Sequence, residues 1–375
     1  MNSTSSRYVK IIAGLKETGH YRSLPATFNP ETLDLSSNDY LGIGSNDKLK
    51  KQFRKLMNSR NYRFGAGGSR LLSGNSKECS HLEAIIGYIY QQRSCLVFNS
   101  GYHVNMGILP ALATKQDLII ADKLVHASLI DGSRLSRATY LRYRHLDYDH
   151  LEKLLQENRD KYENVFIVSE SVFSMDGDIV DLRRLVDIKH RFGCYLYLDE
   201  AHAVGILGQK GLGVAENCQL INEVDFLIGT FGKALASVGA FVVCDNLFKD
   251  VLVNSSRSFI YSTALPPVNL AWSAYVFEKM QIMSEQRKKL SEYSKRFALL
   301  LDVTSKSHIL PYVVGDASRA VSLSERLMEK GFRVLPVRPP TVPDGSSRLR
   351  FSLRADLQFE QLEELAEILK KENHT

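Results

Sequence analysis

The sequence predicts an α/β protein: a mostly parallel sheet with helices on both faces, followed by a small C-terminal α+β domain. Three observations carry that prediction. From residue 76 onward, short apolar runs of strand length alternate with helical stretches, the pattern of a sheet built through right-handed crossovers. Several of those runs stop at polar residues, where open α/β sheets bind ligands. From residue 309 the texture changes to strand, helix and paired short strands.

At 375 residues the chain is comfortable for two domains. The expected division is an N-terminal arm (1–45), a large ligand-binding domain (46–270) and a small C-terminal domain (271–375). Hydrophobic residues make up 44% and charged residues 24%, the balance of a soluble globular protein. No apolar run is long enough to span a membrane, and MNSTSSRYVKIIAGLKETGHYRS lacks the apolar core of a signal peptide. A cytoplasmic protein is expected. The 48 basic and 42 acidic residues give a net charge of +6. The basic residues are dispersed, which suits small anionic ligands and argues against nucleic acid. Cys79, Cys95, Cys194, Cys218 and Cys244 are odd in number and form no CxxC pair. They read as reduced thiols, and zinc-ligand spacing is absent, so no metal is expected.

Along the chain, an amphipathic helix around Tyr8 to Lys16 precedes a turn-rich passage through Pro25 and Pro30. A strand-like Thr32 to Leu35 leads into SSNDYLG (Ser36 to Gly42), then a basic helix (Asp47 to Met57) and the glycine-dense YRFGAGGSRLLSGN. Helix His81 to Tyr90 precedes strand Ser94 to Phe98, and a further helix runs from near Tyr102 towards Leu112. Strands are expected at Leu118 to Ala121, Thr139 to Tyr143, Val165 to Ser169, Tyr195 to Leu198 and Phe226 to Ile228. Helices from His126, at Asp149 to Asn158 and at Leu182 to Phe192 separate them. Beyond Phe241 to Cys244, one long helix is expected from about Val268 to Leu301. Strand Ile309 to Val314, helix Ala317 to Glu329, strands Phe332 to Val337 and Arg348 to Leu353 and a last helix complete the chain.

Four strand ends offer polar groups to one edge. Ser100, Gly101 and Tyr102 stand at a helix start, whose free N–H groups suit a phosphate. Glu170, Ser171 and Ser174 follow the next, Asp199, Glu200 and His202 the third, and Thr230 and Lys233 the fourth. A lone loop lysine is ordinarily a solvated surface residue, and a lone Ser or Asp is ordinarily a helix cap. Four such ends together, with Asp, His and Lys among them, form a site. Gly229 and Gly232 let the backbone bend before Lys233, and the small residues Ala234, Ala236, Ser237, Gly239 and Ala240 leave room for something flat. GTFGK is not a P-loop, because Leu227 stands where the first glycine belongs and Ala234 where Ser or Thr is required. GxGxxG, GxSxG and HExxH are absent.

What these residues match is pyridoxal phosphate. A lysine amine in a desolvated site forms the Schiff base. Asp199 suits the carboxylate that keeps the pyridine nitrogen protonated, and His202 could reach the ring hydroxyl.

The motifs SSNDYLG, GAGGSR, FNSGYHVN, HASLIDG, SESVFSMDGDIVDL, LDEAHAVGILGQKGLG and GTFGKALASVGA resemble those of the α-oxoamine synthases, in the same order and over nearly the whole chain. That resemblance implies a pyridoxal-phosphate-dependent transferase of fold type I, with a seven-stranded sheet in the large domain, acting as a homodimer. It implies Lys233 as the Schiff-base lysine, Asp199 on the pyridine nitrogen and His126 stacked on the ring. It further implies cofactor contacts from Gly101, Tyr102, Ser174, His202 and Thr230, with Ser262 and Thr263 reaching the phosphate from the neighbouring subunit. Substrate contacts would be Arg22, Asn38, His126, Arg338 and Thr341. Arg350 is a second candidate for holding a carboxylate, and both arginines have a plain surface reading as well. His81 and His103 read as packing or helix-surface residues. IYSTALPP and RPPTVPDGSSRLRFSLRA are most similar to the family member of biotin biosynthesis. That acyltransferase condenses L-alanine with a pimeloyl thioester, on CoA or an acyl carrier protein, with loss of carbon dioxide. The alternatives are sibling synthases that use glycine or serine with other acyl-CoAs, and a non-catalytic subunit of the same fold. Ala234-Leu235-Ala236 departs from the family, where glycine is frequent, and adds bulk behind the lysine.

Overall fold

The computed structural model describes residues 3–22, 24, 32–91 and 93–373; the passage through Pro25 and Pro30 lies outside them. Residue contacts divide the chain into two compact units. The larger comprises residues 38–174 and 178–289, and the smaller takes in the segments before 38, at 175–177 and after 289.

A two-residue strand, β1 (Leu33–Asp34), belongs to the smaller unit. The larger is built on seven strands: β2 (Ser94–Phe98), β3 (Leu118–Asp122), β4 (Thr139–Tyr143), β5 (Val165–Glu170), β6 (Tyr195–Asp199), β7 (Phe226–Thr230) and β8 (Ala240–Cys244). They form one sheet in the order β2-β8-β7-β6-β5-β3-β4. Of these, β8 runs against both its neighbours, and the remaining pairs are parallel. Because β2 and β7 both oppose β8, they point the same way, and the C-terminal ends of β2, β5, β6 and β7 share one edge. β3, β5, β7 and β8 are buried along their whole length, as expected for Val/Ile-rich runs covered on both faces.

Side-chain caps start the helices between strands. Asn46, Ser76, Ser100, Asp147 and Asp181 each accept a main-chain N–H from the first turn of the helix that follows. Gly193 ends the helix Leu182–Phe192 in the left-handed conformation. The helices Gly101–Leu112 and Ala127–Leu135 pack so closely that a Cβ on Gly132 would lie 2.2 Å from the Asn105 carbonyl oxygen. That contact brings the start of the second helix against the buried face of the first.

The stretch expected as one helix from Val268 to Leu301 is two, Pro267–Met280 and Ser284–Leu301. Arg287, 7% exposed, explains the break. Its guanidinium donates to the carbonyls of Met280 (2.6 Å), Gln281 (3.3 Å) and Gln209 (2.5 Å), satisfying acceptors freed where the first helix stops.

In the smaller unit, β9 (Ile309–Gly315), β10 (Phe332–Arg333), β11 (Pro336–Val337) and β12 (Ser347–Ser352) follow. The strand expected from Phe332 to Val337 is broken in two. β10 pairs parallel with β1, and β11 pairs antiparallel with β12, which in turn pairs with β9. The chain changes partners at Val334 and Leu335, where the Leu335 N–H is taken by Ser36 Oγ at 2.8 Å instead of a ladder carbonyl.

Gly132→Ala should therefore force the two helices apart. The expected loss is about 1–3 kcal/mol of stability, read as a lowered thermal unfolding midpoint; an unchanged midpoint would contradict the close approach.

Candidate active site

The site is built on the shared sheet edge of the larger unit. Asp199 is the last residue of β6, in register with Glu170 at the end of β5 and Ile228 on β7. It is buried, and two N–H donors hold it: Ala201 N on Oδ1 and Asn105 Nδ2 on Oδ2, each at 2.9 Å. Asn105, 1% exposed, also donates from Nδ2 to Ser128 Oγ at 2.9 Å and accepts the Tyr197 hydroxyl at 2.6 Å. Ser128 Oγ lies 2.8 Å from His126 Nδ1.

His126 caps the helix Ala127–Leu135, with the Ser128 N–H directed at Nδ1. His126 remains solvent-accessible, and the Tyr102 ring meets its ring edge-on with centroids 6.4 Å apart. Partial burial, then the Lys233 charge, press its pKa below the usual histidine value, while Asp199 and Asp131 pull the other way. The His126 N–H donates to Glu170 Oε1 at 2.5 Å. Burial, then the neighbouring Asp199, push the Glu170 carboxyl up to about 8 against the opposing pull of Lys233. Lys233 is half-buried in the turn after β7 and acts electrostatically on both His126 and Glu170.

The remaining residues of this edge fall around that group. The Tyr40 hydroxyl links His202 Nδ1 (2.6 Å) to Asn38 Oδ1 (3.0 Å), and both Tyr40 and His202 are buried. Thr230 Oγ1 donates to the Gly239 carbonyl and accepts the Gly232 N–H, shaping the turn that presents Lys233. Ser174 is buried. Gly101 opens its helix with no atom within 4 Å of where a Cβ would stand. Asn99, just before it, donates to the Thr263 carbonyl at 2.7 Å, so the segment carrying Ser262 and Thr263 adjoins this helix start within the same chain. Glu200, beside Asp199, accepts the N–H groups of Val214 and Ala215, a helix-capping role. His81 and His103 lie on exposed helix surface, His103 bonded to its own cap Ser100.

The small residues around Lys233 serve the protein's own packing more than an open slot. A Cβ on Gly229 would strike the Phe241 ring at 2.2 Å. Gly239 adopts φ +107°, and a Cβ there would meet Leu265 at 2.6 Å. Ala234 and Leu235 are buried. The reading of this stretch as clearance for a flat ligand is thus corrected at these positions.

Four expected residues lie in the smaller unit. Arg22 donates to Thr341 Oγ1 at 2.9 Å. Arg338 donates to the carbonyls of Gly19 (2.7 Å) and Tyr21 (3.4 Å). Arg350, on β12, is 9% exposed and donates to Ser352 Oγ, so it is not a surface arginine. Arg348 pairs with Asp176.

Asn105, Ser128 and Tyr40 stand inside the motifs FNSGYHVN, HASLIDG and SSNDYLG without an expected role of their own, and Glu170 stands out in the sequence only as a strand end. One signal was available: Asn105 is a polar residue on a helix face otherwise made of Val104, Ile108 and Leu109.

The pH dependence of stability follows from Glu170. Below its ordinary value of 4.5 folded and unfolded chains both hold the proton, and between there and about 8 only the folded chain does. Its contribution is full at acid pH and is lost as the pH rises to about 8. The thermal midpoint of the wild type should therefore fall relative to Glu170→Gln between pH 5 and pH 8, whereas parallel curves would show that Glu170 is ionised throughout.

A family profile for aminotransferase class I and II matches residues 30–369. The chain is 46% identical to a putative 8-amino-7-oxononanoate synthase of Haemophilus influenzae over 94% of its length and 97% of the relative's. It is 48% identical to an 8-amino-7-oxononanoate synthase of Chlorobaculum parvum, covering 95% of this chain and 96% of that one. Among solved structures, a serine palmitoyltransferase of Sphingomonas wittichii superposes with a TM-score of 0.89 at 29% identity, over 99% of this chain and 98% of that one. An 8-amino-7-oxononanoate synthase of Francisella tularensis superposes at 0.78, also at 29% identity, over 92% and 99%. With a fold, a sheet edge and a sequence that all agree, the chain belongs to the aminotransferase class I and II family and stands within it beside the 8-amino-7-oxononanoate synthases.

Proposed function

We propose that this chain is a pyridoxal-phosphate-dependent acyltransferase of biotin biosynthesis. It condenses L-alanine with a pimeloyl thioester, on CoA or an acyl carrier protein, to give 8-amino-7-oxononanoate, carbon dioxide and the free thiol. The observation that carries the reading is a buried aspartate, Asp199, clamped by two N–H donors on the sheet edge that also presents Lys233. The relatives named above, 46–48% identical, supply the choice of reaction.

The residues fit the cofactor. An Asp199 whose two oxygens both accept N–H bonds is a fixed acceptor for a protonated pyridine nitrogen. The open helix start at Gly101 and Tyr102 suits a phosphate, and His202 and Thr230 complete the cradle with Ser174. When bound, pyridoxal phosphate supplies an electron-withdrawing ring that takes up the electron pair left on the substrate α-carbon. Lys233 would hold the cofactor and accept the α-proton, a task that its partly desolvated position favours. His126 would lie beside the ring and orient the reactants. Asn38, Arg22, Arg338, Thr341 and Arg350 contact the substrates, the arginines as partners for carboxylate.

The working form is read as a cytoplasmic homodimer in which Ser262 and Thr263 serve the neighbouring subunit's phosphate. Phe64, Leu72 and Tyr261 are 76%, 83% and 71% exposed and flank the glycine-rich loop and the IYST segment; exposed apolar groups so placed support a covered face. Residues 1–45, 46–270 and 271–375 are proposed as arm, large domain and small domain. A second reading, condensation of serine with a fatty acyl thioester, draws on the likeness to the Sphingomonas enzyme. A non-catalytic subunit would have no use for Lys233.

Lys233→Ala should abolish turnover and the near-visible absorbance of the lysine-linked cofactor, and retained activity would sink the assignment. Asp199→Ala should lower kcat by on the order of 10²-fold or more. Purified protein given L-alanine, glycine or L-serine with pimeloyl-CoA should release thiol fastest with alanine; release with serine or glycine but none with alanine would defeat the proposed substrate.

A further inference from the structure

Two buried side chains that the proposed reaction does not use, Asn105 and Ser128, connect Asp199 to His126. The Asp199 carboxylate can only accept, so the Asn105 amide must turn its NH2 towards it, and the Tyr197 hydroxyl on Asn105 Oδ1 agrees with that orientation. The second hydrogen of the same NH2 goes to Ser128 Oγ. Ser128 Oγ accepts that N–H and has its own proton to give to His126 Nδ1 at 2.8 Å. The Ser128 main-chain N–H is directed at the same nitrogen at 3.2 Å. A hydrogen on Nδ1 would face that N–H head-on, so Nδ1 must be a bare acceptor.

We propose that Asn105 and Ser128 are positioning residues that fix His126 as the neutral imidazole with its proton on Nε2. His126 then meets its ligand as a hydrogen-bond donor and is not available at Nδ1 to take up a proton. Proton removal is left to Lys233. Only this last consequence rests on the proposed reaction; the tautomer is a property of the protein. The charged and titratable groups around the ring are Lys233, Asp199 and Asp131, with Tyr102 at its edge and Glu170 on its main-chain N–H. Burial and the Lys233 charge also disfavour the doubly protonated ring. The geometry depends on Gly132, whose missing side chain lets the Ser128 helix lie against the Asn105 carbonyl.

The test is long-range 1H–15N NMR on the full chain labelled with 15N-histidine, recorded with and without pyridoxal phosphate. The His126 signals are assigned by their loss in His126→Asn. Wild type at pH 7 should show a protonated Nε2 and a bare, hydrogen-bonded Nδ1 in both forms. Ser128→Ala should move the His126 titration up by at least half a pH unit and introduce the Nδ1–H tautomer, and Ser128→Thr, which keeps the hydroxyl, should restore the wild-type pattern. If the loaded enzyme is active, the acid limb of kcat/KM should rise in Ser128→Ala by the same shift. A proton on Nδ1 in the wild type, or unchanged nitrogen shifts in Ser128→Ala, would overturn the proposal. Absence of synthase activity with the expected tautomer present would instead count against the proposed reaction alone.

Discussion

The site depends on one buried carboxylate. Asp199 ends a strand in the middle of the sheet, away from bulk water, where an unpaired charge would be costly. Its two N–H donors come from different parts of the chain: Ala201 from the loop that directly follows β6, and Asn105 from the helix after β2. That division ties the helix Gly101–Leu112 to the sheet edge. Through Ser128 it also ties in the helix that His126 caps. Asp199, the helix start at Gly101 and His126 are therefore positioned by one network, satisfied at each member, which is the condition under which buried polar groups specify a structure.

Around this network the backbone makes close approaches that only small residues allow. Gly132 permits the helix contact at Asn105, and Gly229 makes room for the Phe241 ring under the lysine turn. The lysine-bearing segment is thus held rigidly by its own packing. Its small residues serve the precision with which Lys233 is presented, more than the volume available to a ligand.

The electrostatics distribute charge unevenly across three neighbouring acids. Asp199 accepts two N–H bonds, Glu170 shares its environment with Asp199 and is pushed towards the neutral acid, and Glu200 turns away to cap a short helix. Adjacent carboxylates thus have different partners: Asp199 is held as an acceptor by two N–H donors, while burial pushes Glu170 up. None of this is visible in the string DEAH or in the spacing of Glu170 from Asp199.

The alternation of apolar runs, helix caps and polar strand ends was enough to predict the parallel sheet, the edge that carries Asp199, His202 and Lys233, and the kind of cofactor those residues suit, because period and capping are local properties. Tertiary structure decided the rest. It broke the helix at Met280, where Arg287 joins the helix-end carbonyls to that of Gln209, 78 positions away, and it broke the strand at Val334, where the chain changes partners. It turned β8 against the sheet and brought Asn105, Ser128 and Glu170 to Asp199 and His126. The bond from Asn105 to Asp199 alone joins residues 94 positions apart, and hydrogen-bond direction and burial exist only once the chain has closed around them.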